Sequence, residues 1–347
     1  MQTGWNAIRK PLVISVRPLH VQIETNNSCN CNCQTCLRSE IIKNPENISF
    51  ENFKKIIDVT DPVFVTICGF GETLLHPEAE KMFAYMKNKG ISVNFTSNAV
   101  LLVKNYKWIA DLGIDTLSIS LDAANPDSYK KIRGVDAFPQ IIEGIKSLQG
   151  YKKERGLSLP GTRIQMVIQQ DNINELEDFV RLAKSLEIDA AYFQVMNMMG
   201  LDNRRDNLAS ALTPDLVKEK IMAAREAAKS LGVATNLDVI LKKFEQYYHK
   251  ENVKKFYPCF YPWYTLMVNL DGNVQPCCSF GGPNSGVYFG NIYQEDFTRM
   301  FNNDKFQNFR RLLKRGERPY ECCKLCVPLT LTEVFGVDKF VPKFYKK

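Results

Sequence analysis

The chain has 347 residues, of which 45% are apolar and 11% aromatic, which is enough to build a core larger than that of a single small domain. Its 45 basic and 38 acidic residues give a net charge of +7, a mild excess without the focused basic patch that nucleic-acid binding requires. No segment reaches the ~18 apolar residues of a membrane span and the start lacks a signal-peptide pattern, so we expect a cytoplasmic protein with no membrane partner.

Strand-like and helix-like segments alternate along most of the chain. Six segments are predicted to be strands: Val21–Thr25, Val63–Cys68, Ser92–Ser97, Thr116–Leu121, Arg163–Gln169 and Ala190–Val195. Amphipathic segments of helical period are Phe50–Val59, Ala79–Lys89, Phe138–Leu148, Glu175–Leu186, Pro214–Leu231 and Leu237–Lys250, and Gly150 is predicted to end the third. This alternation predicts an α/β fold with a parallel, right-handed sheet.

The composition changes near the C-terminus. From Phe256 onward the chain becomes rich in Pro, Gly, Cys and aromatic residues. The change predicts two domains, residues 1–250 and residues 251–347.

Ten of the 11 cysteines fall at 29–36, 259–278 and 322–326, and Cys68 stands alone; such grouping indicates metal sites in a reduced compartment rather than a disulfide scaffold. The first group follows the first predicted strand and has the spacing Cys-x3-Cys-x2-Cys on Cys29, Cys33 and Cys36; using Cys31 would break this spacing. A [4Fe-4S] cluster normally takes four cysteines, so three leave one iron open to a ligand from outside the protein. A structural zinc site is the alternative, because these spacings also occur there.

Polar residues follow the next strands, where the βα loops of a barrel gather. The segment Gly69-Phe70-Gly71-Glu72-Thr73 combines glycines that allow close backbone approach with a carboxylate that can accept from a cationic amine. Thr96-Ser97-Asn98, Ser118-Ile119-Ser120-Leu121-Asp122 and Arg133-Gly134 come next in order. Taken singly, Ser97 and Arg133 fit a strand cap and a surface arginine. Cys68 is a weak candidate for a hydrogen donor.

Together these motifs resemble the radical S-adenosylmethionine (radical SAM) superfamily, although Thr35 stands where that family usually has an aromatic residue. The resemblance implies a partial (βα)6 TIM-like barrel in which a cluster on the three cysteines chelates SAM, whose cleavage gives a 5′-deoxyadenosyl radical that takes hydrogen from a substrate. It implies a set of cofactor-binding residues: Gly69, Gly71, Glu72 and Thr73 at the SAM amino group, Ser97 and Asn98 at the ribose, Ser120 and Asp122 facing the cofactor, and Arg133 at the carboxylate.

A second set of cysteines surrounds a hairpin signal in the C-terminal segment. Asp271-Gly272 between apolar runs predicts a β-hairpin that brings Cys277 beside the strand beginning near Pro262. The pattern resembles the twitch module, a shortened SPASM domain, and this implies an auxiliary [4Fe-4S] cluster on Cys259, Cys277, Cys323 and Cys326. Four protein ligands leave no open iron, which favours electron transfer. Cys278 and Cys322 remain alternatives to Cys277 and Cys323, as does a four-cysteine zinc site.

We therefore expect a radical SAM oxidoreductase that removes hydrogen from a small polar, sugar- or cyclitol-like substrate, loses a proton to an unassigned base and passes an electron to the auxiliary cluster. The basic excess is consistent with an anionic substrate, and a flavodoxin or ferredoxin is implied as electron donor. Twitch relatives include an aminocyclitol dehydrogenase and a GTP cyclase.

Three alternatives remain open for the function. The first is modification of a ribosomally made peptide, which the short segment before the first strand disfavours because it leaves no room for a leader-binding domain. The second is a redox-neutral epimerisation in which Cys68 or Cys31 returns the hydrogen. The third is a non-catalytic zinc- or cluster-binding interaction protein.

Overall fold

A computed structural model of the chain describes residues 9–196, 204–248, 258–280 and 286–328. The strands are β1 His20–Ile23, β2 Phe64–Ile67, β3 Ser92–Ser97, β4 Thr116–Ser120, β5 Gly161–Ile168, β6 Ala190–Val195, β7 Ala234–Thr235, β8 Thr265–Val268, β9 Asn273–Gln275 and β10 Gly290–Asn291. The helices up to residue 185 are α1 Arg38–Ile41, α2 Phe50–Thr60, α3 Ala79–Asn88, α4 Leu102–Asp111, α5 Pro126–Arg133, α6 Phe138–Arg155 and α7 Leu176–Ser185. Those that follow are α8 Arg205–Leu208, α9 Pro214–Leu231, α10 Leu237–Lys242, α11 Phe244–Tyr248, α12 Phe297–Phe301, α13 Asp304–Lys314 and α14 Glu321–Leu325.

All six predicted strands are present, and the predicted α/β class with a parallel sheet is confirmed. The chain forms two compact units: residues 1–28, 40–95 and 256–347, and residues 29–39 and 96–255. In the first unit, β1 pairs in parallel with β2 and β8, and β2 pairs with β3. In the second unit, β4, β5, β6 and β7 pair in parallel in chain order.

The predicted C-terminal hairpin is also confirmed. β8 and β9 pair antiparallel through Val268 and Val274, and Gly272 between them has a φ of 77°, a conformation that favours glycine. Because β8 lies beside β1, strand pairing crosses the predicted domain boundary at residue 250.

Side-chain alternation gives the strands of the second unit one apolar and one polar face. Along β5, Ile164, Met166 and Ile168 are fully buried, while the intervening residues are half-buried. On the other face the Arg163 Nε donates to Ser118 Oγ at 2.6 Å, and its guanidinium lies 5.2 Å from the centre of the Tyr192 ring. This face presents polar groups to any molecule bound against it.

The helix bounds agree with the predictions in part, and two predicted segments end differently in the structure. α9 begins after the Thr213 cap and ends at Gly232, as predicted. α6, however, continues through Gly150 and ends at Gly156, because the buried Lys152 extends its buried face past the glycine. The predicted segment Leu237–Lys250 is broken at Lys243 into α10 and α11, and its last two residues lie outside the described ranges.

No helix in the described ranges is long and apolar enough to cross a bilayer.

Candidate functional site

The cysteine loop, residues 29–36, is fastened to the end of α5 by its main chain. Asn32 N–H donates to Arg133 O at 3.1 Å, and Gln34 N–H donates to Ile132 O at 2.9 Å. Within the loop, Cys36 N–H donates to Cys33 O at 3.1 Å. These bonds fix the backbone that carries the thiols.

Gly134 allows this contact because it has no side chain. It ends α5 with a φ of 71°, and a Cβ there would lie 2.4 Å from Asn32 O. The predicted Arg133-Gly134 motif therefore has a structural role beside any role toward a cofactor.

Arg133 has a protein partner that the sequence did not suggest. Its buried Nη1 donates to Asp122 Oδ2 at 2.8 Å, and Asp122 Oδ1 accepts from Val167 N–H at 2.7 Å. The Nε of Arg133 is buried without a hydrogen-bond partner among the described residues. The two predicted cofactor residues thus form a buried ion pair, and their contacts to SAM stay predictions.

The surplus thiol Cys31 forms hydrogen bonds with two of the predicted ligand thiols, Cys29 and Cys33. Hydrogen bonds with Cys31 lower the pKa of Cys29 to about 6 and lower that of Cys33. The same bonds raise the pKa of Cys31, which is buried. Burial raises the pKa of Cys36. Cys31 thus differs from Cys29 and Cys33 in its hydrogen bonding and burial, which agrees with the spacing that leaves it out of the ligand set.

Asn98 joins the turn after β3 to the same loop. Its Nδ2 donates to Asn30 Oδ1 at 2.7 Å and lies 3.7 Å from Cys29 Sγ. Ser97 Oγ accepts from Ala99 N–H at 2.9 Å. The predicted turn residues are therefore near the cysteine loop, and their ribose contact stays a prediction.

Arg204 supports the loop from beyond β6. Its Nη1 donates to the carbonyls of Gln34 and Cys36 at 2.7 and 3.0 Å. A long chain separation hides this contact from sequence reasoning. The polar segment 197–206 after the sixth predicted strand is predicted to touch substrate, and its residues 197–203 lie outside the described ranges.

The glycine loop after β2 is packed against the segment that follows β1. A Cβ on Gly71 would lie 2.2 Å from Asn26 O, and one on Gly69 would lie 2.4 Å from Glu24 Cγ. Glu72 is buried; its N–H donates to Ser28 O at 2.8 Å and its Oε1 accepts from Leu74 N–H at 3.1 Å. Glycine is required here for close packing within the protein, and the predicted approach of this backbone to a ligand stays a prediction.

Thr73, Ser120 and Cys68 lie where the sequence placed them. Thr73 is buried and begins a 3₁₀ turn, and Ser120 ends β4 opposite Gln165 of β5. Cys68 follows β2, half-buried, with its N–H donating to Ile23 O at 3.2 Å. Their proposed roles in binding or hydrogen donation stay predictions.

Glu24 is a buried carboxylate that sequence reasoning missed. It follows β1, is 7% exposed, and accepts from Phe70 N–H of the glycine loop at 2.9 Å through Oε1. Burial, opposed by this bond, raises its pKa. A glutamate at the end of a predicted parallel strand was the available signal.

The four predicted ligands of the C-terminal segment line one cavity. Cys259, Cys277, Cys323 and Cys326 surround it together with apolar side chains that include Pro262, Phe309 and Leu313. Burial raises the pKa of Cys259 to about 12 and raises that of Cys277 as well. Three separate chain segments thus bring four thiols to one enclosed place.

The two alternative cysteines are placed differently. Neither Cys278, which is exposed, nor Cys322 is among the residues lining the cavity. A hydrogen bond with Cys322 lowers the pKa of Cys323 and raises that of Cys322. Arg318 Nη1 donates to the carbonyls of Cys323 and Cys326 at 2.8 and 3.0 Å. These observations favour the predicted pair, Cys277 and Cys323.

Sequence comparison identifies both cysteine-bearing regions. A family model described as the radical SAM superfamily matches residues 23–183, and one described as an iron-sulfur cluster-binding domain, SPASM, matches residues 259–327. The chain therefore contains a radical SAM domain followed by a SPASM domain. This radical SAM enzyme carries two [4Fe-4S] clusters and uses SAM, so the zinc alternatives and the non-catalytic alternative are set aside.

Relatives of this enzyme span several substrates. It is 23% identical to a tungsten-containing aldehyde ferredoxin oxidoreductase cofactor-modifying protein of Pyrococcus furiosus, over 85% of this chain and 84% of that protein. It is 24% identical to the subtilosin biosynthesis protein AlbA of Bacillus subtilis, over 82% of this chain and 60% of that protein. The structure of Streptococcus suis SuiB bound to its precursor peptide SuiA matches 94% of this chain and 74% of that one, with a TM-score of 0.67 and 17% identity, which shows a shared fold.

The residues present fit the implied groups. Lowered thiol pKa values at Cys29 and Cys33 suit a metal-bound loop, and the buried Nε of Arg133 has no hydrogen-bond partner among the described residues. In the described ranges no three His, Cys, Asp or Glu side chains are placed to hold a single ion. A [4Fe-4S] cluster is larger than an ion, so its cysteines need not meet at one point.

Proposed function

We propose that this enzyme oxidises a polar substrate by two electrons: hydrogen atom removal by the 5′-deoxyadenosyl radical, proton loss, and transfer of the remaining electron to the auxiliary cluster. The observation behind the proposal is that one chain carries two cysteine sites of different ligand number. Three cysteines leave an iron open for SAM, and four cysteines leave none. The first suits cleavage of SAM and the second suits electron transfer.

Cys29, Cys33 and Cys36 would hold the first cluster, and Cys259, Cys277, Cys323 and Cys326 the second. When bound, the clusters supply and accept single electrons. The protein holds the first loop through the main-chain bonds at Ile132 and Arg133, and it shields the second site with apolar side chains. A shielded, fully ligated site excludes substrate from its iron while leaving the outer sphere available for an electron.

Glu72 would hold the amino group of SAM. It is buried, its main chain is fixed at Ser28, and its loop has glycines at the two positions where a side chain would clash. A carboxylate held in this way accepts a charge-assisted hydrogen bond from an ammonium group without first ordering itself.

The first test needs no substrate. The reconstituted, dithionite-reduced enzyme should form 5′-deoxyadenosine from SAM, and E72Q should raise the KM for SAM at least about tenfold, since a hydrogen bond to a charged group contributes about 1.5–3 kcal/mol. E80Q, an exposed carboxylate on α3, serves as control and should leave KM unchanged. Absence of SAM cleavage by iron-replete protein would end the proposal.

A second candidate is a peptide substrate, because the relatives include AlbA and a mycofactocin maturase, and SuiB is solved with its precursor peptide. The two substrate classes can be separated by isotope transfer. Extract from cells grown in deuterated medium is divided into small-molecule and peptide fractions, and the fraction that gives deuterated 5′-deoxyadenosine contains the substrate. If only the peptide fraction gives deuterated 5′-deoxyadenosine, the substrate is a peptide and not a small molecule. A product that keeps the oxidation state of the substrate but has gained one solvent-derived hydrogen where deuterium was removed would instead indicate epimerisation, because a thiol hydrogen exchanges with water.

A further inference from the structure

A cavity in the first compact unit lies beside the glycine loop and carries an excess of carboxylates. Its volume is about 460 Å³, which is within the range of small-molecule sites. Phe70 of the glycine loop forms part of its wall, and Asn269, Leu270 and Asp271 of the β8–β9 hairpin form another part. The cavity therefore touches both the proposed SAM loop and the hairpin that precedes Cys277.

The carboxylate of Glu24 lies in the wall of this cavity and is held in place by the surrounding backbone. Its main-chain N–H donates to Val268 O at 3.0 Å, which extends the β1–β8 pairing by one residue and places the side chain in the cavity wall. The Oε1 accepts from Phe70 N–H, and the structure gives Oε2 no hydrogen-bond partner among the described residues. A carboxylate on a residue that is only 7% exposed, in the wall of a cavity, gains more from pairing with a cationic ligand group than a carboxylate at the open surface does.

The charge around the cavity is negative, in contrast to that of the whole chain. Of the residues that the structure describes, Glu24, Glu46 and Asp271 line it, together with one cation, Lys43. The chain as a whole has a net charge of +7. The charge of this cavity favours a cationic ligand group over a phosphorylated one, whereas the overall charge of the chain suggested an anionic substrate.

We propose that this cavity is the substrate-binding site, that it takes a protonated amine carried by a hydroxylated or otherwise polar molecule, and that Glu24 holds the amine. The proposal rests on the proposed function, since it names the substrate class for that reaction. The neighbouring amide side chains Asn27 and Asn44 provide partners for hydroxyl groups. An arriving ammonium group would pair with the unused oxygen of Glu24 and offset the cost of its burial.

Thiol labelling measures the charge preference of the cavity without knowledge of the substrate. Leu270 lines the cavity, and its side chain makes no hydrogen bond, so L270C places a reporter thiol there. The holoenzyme variant is labelled with a cationic trimethylammonium methanethiosulfonate or an anionic sulfonate one, and the rate at position 270 is followed by peptide mass spectrometry. M222C, at an exposed position on α9, gives the reference ratio for the two reagents.

We expect the cation-to-anion rate ratio at L270C to exceed that at M222C by about tenfold or more, the lower end of the range for clefts lined by one charge. Adding E24Q and D271N to L270C should return the ratio to within about twofold of the reference. Adding E80Q, a carboxylate outside the cavity, should not change it. Equal ratios at the two positions, or a ratio at L270C that E24Q and D271N leave unchanged, would overturn the proposal.

Protection experiments then separate the two sources of an amine. Protection of L270C by 2-deoxystreptamine indicates a small hydroxylated amine, and protection by a lysine-containing tripeptide indicates a lysine side chain; either supports the proposal. Protection by glucose 6-phosphate alone would overturn it. Labelling requires neither SAM nor turnover, so its outcome is independent of the SAM-cleavage assay, and failure of one proposal is distinguishable from failure of the other.

Discussion

The two cysteine sites are built in different ways from the same kinds of part. The first takes its thiols from eight consecutive residues, 29–36, whereas the second takes them from three segments that reach from Cys259 to Cys326. Yet each has a spare thiol bonded to a proposed ligand, Cys31 in one and Cys322 in the other, and each has an arginine that donates to two main-chain carbonyls of its ligand segment. The comparison teaches that ligand spacing sets the chemistry of a site, while distant residues hold its shape.

The largest effect is expected from removing a ligand of the first cysteine site. C33A removes one of three ligands, so iron content should fall from about eight to about four per chain and SAM cleavage should be lost. Iron analysis and a 5′-deoxyadenosine assay measure both. C31A removes the spare thiol and should retain the cluster. A C33A enzyme that still cleaves SAM would refute the three-cysteine assignment.

At the second cysteine site, the corresponding pair of variants distinguishes the proposed ligand Cys277 from its neighbour Cys278. C277A should lose the auxiliary cluster, again about four iron atoms per chain, but should keep substrate-free SAM cleavage because the first site is intact. C278A should retain both clusters, since Cys278 does not line the cavity. Electron paramagnetic resonance of the reduced proteins distinguishes one cluster from two. Loss of iron in C278A and not in C277A would reverse the assignment.

The sequence predicts more of the first cysteine site than of the second. The spacing of Cys29, Cys33 and Cys36 is a local property, so it could be predicted without a fold, and so could the six strands and the Asp271-Gly272 hairpin. The choice of Cys277 and Cys323 over their neighbours depends on which thiols face the cavity, which spacing only suggested. Glu24 and Arg204 were missed because their hydrogen-bond partners lie 46 and about 170 residues away. The continuation of α6 past Gly150 was missed because tertiary burial outweighs the low helix propensity of glycine.

The buried ion pair between Arg133 and Asp122 provides a test of whether distant residues stabilise the first cysteine loop. R133M leaves Asp122 buried without its partner, and we expect the free energy of unfolding to fall by about 3–5 kcal/mol. K130M is the matched control on the same helix, because the Lys130–Asp136 pair is exposed and should contribute less than about 1 kcal/mol. Anaerobic urea denaturation followed by circular dichroism measures both. Equal losses would show that the Arg133 pair contributes no more than a surface pair.

The smallest effect concerns the two supporting arginines. Loss of charged hydrogen bonds in R204M or R318M should speed release of the adjacent cluster about tenfold or more, because each such bond contributes about 1.5–3 kcal/mol. Release of iron to a chelator is measured in C277A for R204M and in C33A for R318M, so that one cluster is observed at a time. Each arginine variant placed in the other background should leave the remaining cluster's release rate unchanged. An effect in both backgrounds would contradict separate support of the two sites.

The order of these parts along the chain has a consequence for biosynthesis. The first three thiols are translated early, but the main-chain groups that fasten their loop arrive only with residues 132 and 133. The second site requires Cys326. Since a polypeptide emerges from the ribosome starting at its amino end, both sets of thiols must pass through a stage without their neighbours, and delivery of iron and sulfide is expected to follow translation rather than accompany it.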